Sequence, residues 1–207
     1  GGAASLDGTD DEILVTRNAG TDDISAKTVS LWVRHNEVAF DHLFGKHSGT
    51  NVWNISIDSS NFINFRQVFS GGTATWTSAS TVPVSSWTHV VLAYDRTSAS
   101  NDPTIYINGV ASSLGTDTNS TGSANTDASN DIYMGETGNA GSDLNGLLDE
   151  VRFSNVIRSS DWIKSEYNNQ SSPPTFYSYG ALESNSRKNS AGSSESAVKV
   201  RGGVKFR

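Results

Sequence analysis

The chain has 207 residues, with 15 Lys and Arg against 22 Asp and Glu, four His and no Cys; only 18% of it is charged. That length is enough to bury a core in one all-β domain or two small ones. The missing cysteines exclude disulfide scaffolds, Cys-based zinc sites and thiol nucleophiles.

The charge is unevenly placed: residues 1–180 hold 9 basic and 20 acidic side chains, and residues 181–207 hold 6 and 2. An acidic body repels phosphate backbones and anionic lipid, which argues against nucleic acid as its partner. No apolar stretch approaches the ~20 residues that a spanning helix needs, so no membrane span is expected. Gly1-Gly2-Ala3-Ala4 in place of Met reads as a processed or excised start, with any signal peptide outside the sequence.

From the N-terminus, period-2 runs closed by turn residues recur through the first 155 positions. They fall at 12–16, 28–34, 51–57, 61–66, 87–94, 104–108, 131–134 and 147–153. In the second run Val29, Leu31 and Val33 share one face, and Ser30, Trp32 and Arg34 the other. Such alternation, with no amphipathic helices between runs, predicts two packed antiparallel sheets rather than a parallel α/β sheet. Gly115–Asn130 is Ser, Thr, Asn, Asp and Gly with nothing large to bury, and reads as a long surface loop or hairpin tip. One helix is predicted over Ser159–Tyr167, capped by Ser159 or Ser160, with Asp161 at the positive dipole end. Pro173-Pro174 then stops regular structure, and Thr175–Tyr179 reads as an edge segment. The polar stretch 181–196 reads as a flexible linker. In residues 197–207, Val198, Val200, Val204 and Phe206 alternate with Lys and Arg around Gly202-Gly203, the pattern of a basic β-arm or hairpin.

The order of these motifs resembles a known family. Ser5-Leu-Asp-Gly-Thr-Asp-Asp-Glu-Ile-Leu-Val15 is similar to the opening strand pair of concanavalin A-like, laminin G-like jelly-roll domains. Thr28–Val33, Ser86–Asp95, Ile105–Val110 and Asn145–Phe153 with Arg158–Trp162 resemble later motifs of the same family, in the same order. The resemblance covers roughly residues 5–178. It implies an all-β, two-sheet antiparallel sandwich over 1–180, one sheet concave and one convex, with a short C-terminal helix. Function is less constrained, because one fold hosts unrelated activities.

The residues bear on three chemistries. Glucan-hydrolysing relatives of this fold present Glu-x-Asp-x-x-Glu from one strand, and no such triplet occurs here. Asp149 and Glu150 are adjacent, so strict alternation sends them to opposite faces. His35, His42, His47 and His89 are the candidate bases, with His89 reading as a packed strand residue; no serine elbow or His-Glu-x-x-His motif occurs. For a metal, the Asp7-Gly-Thr-Asp-Asp11 turn supplies the oxygen ligands that calcium takes. The resemblance implies a structural calcium on Asp11 and Asp149, with Asp7 and Asp10 behind them. The alternative is that Asp7 and Asp10 brace the turn through Asx-type hydrogen bonds.

For a sugar, exposed aromatic faces and planar polar groups are needed. Trp76, Trp53 and Phe69 are the aromatic candidates, Trp76 reading as the most exposed, while Trp53 shares parity with Ile55 and Ile57 and equally suits the core. Arg66, Asn64 and His42 lead the polar candidates, with Asn54, Gln67 and Asp41 nearby. Trp32, Trp87 and Trp162 are assigned to packing.

The expectation is a non-catalytic carbohydrate-recognition or adhesion module at a cell or virion surface, its partner a glycan or cell-surface polysaccharide. The rival is a structural subunit of an extracellular or viral assembly that self-associates through residues 197–207 and binds no sugar.

Overall fold

The computed structural model describes residues 2–47, 51–136 and 142–173, and beyond them the backbone of residues 177–178, 184–188, 194–198 and 205–206. The chain divides into two units, Gly1–Lys164 and Ser165–Arg207.

The first unit is the expected sandwich of two antiparallel sheets. With strands numbered along the chain, the six-stranded sheet runs β1 (Ala4–Asp7), β13 (Asn145–Ser154), β3 (Ala26–His35), β8 (Thr88–Asp95), β9 (Thr104–Ile107) and β10 (Val110–Ser112). The seven-stranded sheet runs β11 (Leu114–Thr118), β7 (Gly72–Thr81), β6 (Phe62–Phe69), β5 (Asn51–Ile57), β4 (Asp41–His47), β12 (Asp131–Met134) and β2 (Ile13–Val15).

Alternation decides what meets between the sheets. Val29, Leu31, Val33, Val90, Leu92 and Tyr94 come from one side; Trp53, Ile55, Phe65 and Trp76 come from the other. Phe65 lies 5.0 Å from Tyr94 between ring centroids and 5.5 Å from Trp76, so aromatic packing joins the layers. Each such ring contributes about 2–3 kcal/mol by burial alone.

Two strands have no apolar periodicity to announce them. In β7, Thr73, Thr75 and Thr77 alternate with Ala74, Trp76 and Ser78, so one large residue anchors an otherwise polar strand. All of β11 but Leu114 falls in the stretch expected as loop; it is an edge strand whose ladder to β7 needs only backbone groups.

A β-bulge interrupts β13 between Asp149 and Arg152, where Glu150 has a left-handed φ of 52°. Strict alternation therefore fails there. Leu148, Val151 and Phe153 pack toward the core, and Asp149 and Glu150 both stay off it, because the bulge adds a residue to one strand only.

Helix α1 (Ser160–Ser171) begins where the capping serine places it: Trp162 N donates to Ser159 Oγ at 3.2 Å. Its Ile163 is buried against Val91, Ala93 and Tyr106 on the outer side of the six-stranded sheet. Among the described residues no helix is long and apolar enough to cross a membrane.

In the second unit β14 (Tyr177–Ser178) pairs with β17 (Lys205–Phe206), and β15 (Ser184–Lys188) pairs with β16 (Ser194–Val198). The stretch expected as a linker thus holds most of a strand pair, because even a Ser-rich segment carries a full set of backbone donors and acceptors. Within the basic arm, Val198 ends β16 and Lys205–Phe206 forms β17, so neither strand pairs with the other as a hairpin would require. Gly202 and Gly203 lie outside the described residues.

Candidate functional site

The outward face of the seven-stranded sheet carries two rows of polar residues. The first runs His42–Ser56–Asn64–Thr77–Thr116 from β4 to β11, each residue paired in register with the next. The second runs Gly45–Asn54–Arg66–Thr75–Thr118 across the same strands. Neither row contains Asp or Glu.

Exposure climbs along the rows. His42 and Ser56 are 0% exposed and Asn54 is 3% exposed. Asn64, Thr75 and Thr77 are half-buried, and Arg66 is exposed. At Gly45 a Cβ would come within 2.6 Å of the Trp53 carbonyl and 2.9 Å of the Asn54 Cβ, so glycine is what lets β4 lie against Asn54.

This floor is chemically unfinished. Asn54 Oδ1, Ser56 Oγ, Asn64 Oδ1 and His42 Nδ1 are buried atoms with no hydrogen-bond partner. Each such atom costs roughly 1–3 kcal/mol unless a water or a ligand meets it. Burial pushes the His42 pKa down to about 4, against a hydrogen bond to Tyr133 that raises it and the nearby His47 that lowers it. The imidazole is therefore neutral near pH 7. Its Nε2–H donates to Tyr133 O at 3.3 Å, which leaves Nδ1 an acceptor. His42 Nδ1, Asn54 Oδ1 and Asn64 Oδ1 are thus acceptors and Ser56 Oγ is a hydroxyl of either role, all four shielded from solvent in the free protein.

The structure separates the residues singled out from the sequence. His42, Asn64 and Arg66 come together on this face, and Asn54 joins them. Trp76, Trp53 and Phe69 do not: all three are in the core. Trp76 has no exposed surface, and its Nε1 donates to Asp117 at 3.1 Å and Asp102 at 3.3 Å. Its Gly- and Thr-rich surroundings suggested exposure, but those threonines occupy the opposite face of the same strand. Gln67 and Asp41 also lie on the core side; Gln67 donates to Val52 O, and Asp41 sits 3.6 Å from His35 with its pKa raised by burial to about 6. Trp87, assigned to packing, is 40% exposed, in the turn before β8. His89 is packed as expected, under Trp32 with ring centroids 5.3 Å apart.

Three of the four carboxylates expected to hold calcium accept backbone hydrogen bonds. Asp11 Oδ2 accepts from Asp7 N, Asp7 Oδ1 from Thr9 N, and Asp149 Oδ1 from Glu150 N. Asp7 and Asp11 therefore brace the turn, and Asp10 is exposed beside them. Among the described residues no group of three or more His, Asp and Glu is arranged to hold a metal ion.

Sequence reasoning missed a buried ionic cluster. Lys46 Nζ lies 2.7 Å from Asp22 and 3.4 Å from Asp127; Arg96 lies 2.7 Å from Asp23 and 3.2 Å from Asp127. Trp53 Nε1 also donates to Asp127, at 2.9 Å. The one sequence sign is a lysine following the apolar Leu43-Phe44-Gly45 run, since partners from distant loops leave no periodic trace.

Residues 7–164 match the concanavalin A-like lectin/glucanases superfamily, more than half of the chain. The chain belongs to that superfamily. No curated protein matches it.

Among solved structures it is similar to domain 4 of AbnA, an extracellular GH43 arabinanase from Geobacillus stearothermophilus, solved with arabinotriose. Identity there is 21% over 78% of this chain and 74% of that one, with a TM-score of 0.52. It is also similar to a heptameric SAP-like pentraxin from Limulus polyphemus, with 12% identity, 98% and 93% coverage and a TM-score of 0.57. A third likeness is to the binding domain of botulinum neurotoxin serotype D/C, with 17% identity and a TM-score of 0.60 over 79% of this chain. The chain spans 42% of that toxin domain.

Proposed function

We propose that this chain is a non-catalytic carbohydrate-binding module, and that its glycan lies across the outward face of the seven-stranded sheet. The observation that carries the reading is the set of unmet acceptors on Asn54, Ser56, Asn64 and His42, arranged in two adjacent rows. Sugar hydroxyls donate and accept at such spacings, and cross-strand neighbours stand about 5 Å apart. The rows hold no carboxylate pair to flank a glycosidic bond, which favours binding over hydrolysis. Similarity to an arabinanase domain solved with arabinotriose supports the same reading. An extracellular setting follows from it, since polysaccharides of this kind are met outside the cell.

The test is binding of a polysaccharide and oligosaccharide panel by isothermal calorimetry, wild type beside an Asn54→Ala, Ser56→Ala double variant. Each lost hydrogen bond is worth about 0.5–1.5 kcal/mol, so the double variant is expected to bind roughly 10- to 100-fold more weakly. Its melting temperature should hold or rise, because the substitutions remove buried atoms that have no partner in the free protein. A wild type that binds nothing in the panel, or a double variant that binds as well as wild type, would sink the assignment.

A further inference from the structure

Resting on that reading, the charge pattern of the face specifies the sugar. We propose that the glycan bears a carboxylate and that Arg66 receives it.

Of the arginines among the described residues, Arg17, Arg34, Arg96, Arg152 and Arg158 each reach a carbonyl, hydroxyl or carboxylate of the protein. Arg66 reaches none. It stands exposed in the middle of β6, between Asn54 and Thr75 in its own row, with Asn64 two residues along the strand. No acidic residue occupies either row. Asp143, whose Oδ1 is buried without a hydrogen-bond partner, follows Ser142, whose carbonyl accepts from His42 N on β4, and β5 lies between β4 and the strand that carries Arg66.

An unpaired guanidinium beside buried acceptors divides the ligand chemically. The planar fork of Arg66 matches a carboxylate in bidentate geometry. Asn54 Oδ1, Asn64 Oδ1, Ser56 Oγ and His42 Nδ1 then take hydroxyl protons on the same residue or the next one along the chain. A uronic acid and a sialic acid both combine these groups, a carboxylate on a ring bearing several hydroxyls. The body around the face is acidic, with 20 Asp and Glu against 9 Lys and Arg over residues 1–180. Long-range attraction therefore does not bring an anion here, and recognition has to come from the short-range contact at Arg66.

The experiment measures affinity for matched pairs that differ only in charge or in the acidic residue: polygalacturonate against its methyl ester, and sialyllactose against lactose. Wild type is expected to prefer the acidic member of one pair by about tenfold or more, and which pair responds separates uronate from sialate. Arg66→Met is expected to abolish the preference and to leave the melting temperature unchanged, since Arg66 is exposed; Arg66→Lys should retain part of it. Equal affinity for both members of each pair, or a preference that survives Arg66→Met, overturns the carboxylate while leaving the carbohydrate reading standing. If no member of either pair and no glycan of the wider panel binds, both fall together.

Discussion

Lys27 shows what burial does to a base that finds no polar partner. Its Nζ is fully buried, makes no hydrogen bond and lies 4.3 Å from the centre of the Trp53 ring. Burial first, then the Arg96 charge, pulls its pKa down to about 7; Lys46 pulls the same way, and Asp127 and Asp23 oppose them. A lysine whose folded pKa lies below its unfolded value costs stability while it is charged. That cost fades as the pH climbs from about 7 toward about 10. Thermal melts should therefore show wild type gaining stability between pH ~7 and ~9.5, and Lys27→Met should be more stable at pH 7 by about 1–3 kcal/mol and lack that gain. A variant with the same pH slope as wild type would remove Lys27 from the account. His42 is lowered by the same cause, with one nitrogen donating to Tyr133 O and the other buried without a hydrogen-bond partner.

At the scale of elements, the ionic cluster holds parts of the chain that the sheets alone leave separate. Asp127 meets Lys46 on β4, Trp53 on β5 and Arg96 just past β8, and its backbone N donates to Asp23. It thereby ties the 119–130 connection to both sheets. Removing one partner of a buried ion pair leaves the others uncompensated, at about 3–5 kcal/mol. Asp127→Ala should cost that much by urea denaturation, and a loss below about 1 kcal/mol would show that the cluster is not a fastening. The outward rows are subject to a different rule. At their half-buried and exposed end, cross-strand pairs of Thr and Asn contribute about 0.2–1 kcal/mol each. That leaves the face free to vary in chemistry while β5 and β6 keep their core residues Trp53, Ile55, Ile63 and Phe65.

For the molecule as a whole, apolar burial and that cluster hold the sandwich together. EDTA is accordingly expected to leave the melting temperature unchanged, whereas Asp11→Ala should lower stability by about 1 kcal/mol through the lost hydrogen bond to Asp7 N. A clear drop with EDTA, restored by added calcium, would return the carboxylates of the first turn to the role of ligands.

Strand alternation such as Val29-Ser30-Leu31-Trp32-Val33 was enough to specify two antiparallel layers, because side-chain direction in a strand depends only on the backbone period. Five motifs in order, ending in Asn145–Phe153, carried the family. The same period already marked Asn64 and Arg66 as polar strand residues, but neither the strand of His42 nor the strands they would meet. Register across β4, β5, β6 and β7 placed them in rows, and register is set by bulges and turns that leave no local signature. The burial of Trp76 and the convergence of Lys46, Arg96 and Asp127 belonged to tertiary structure alone. Both depend on partners 26 to 81 positions away along the chain, whose meeting no local pattern encodes.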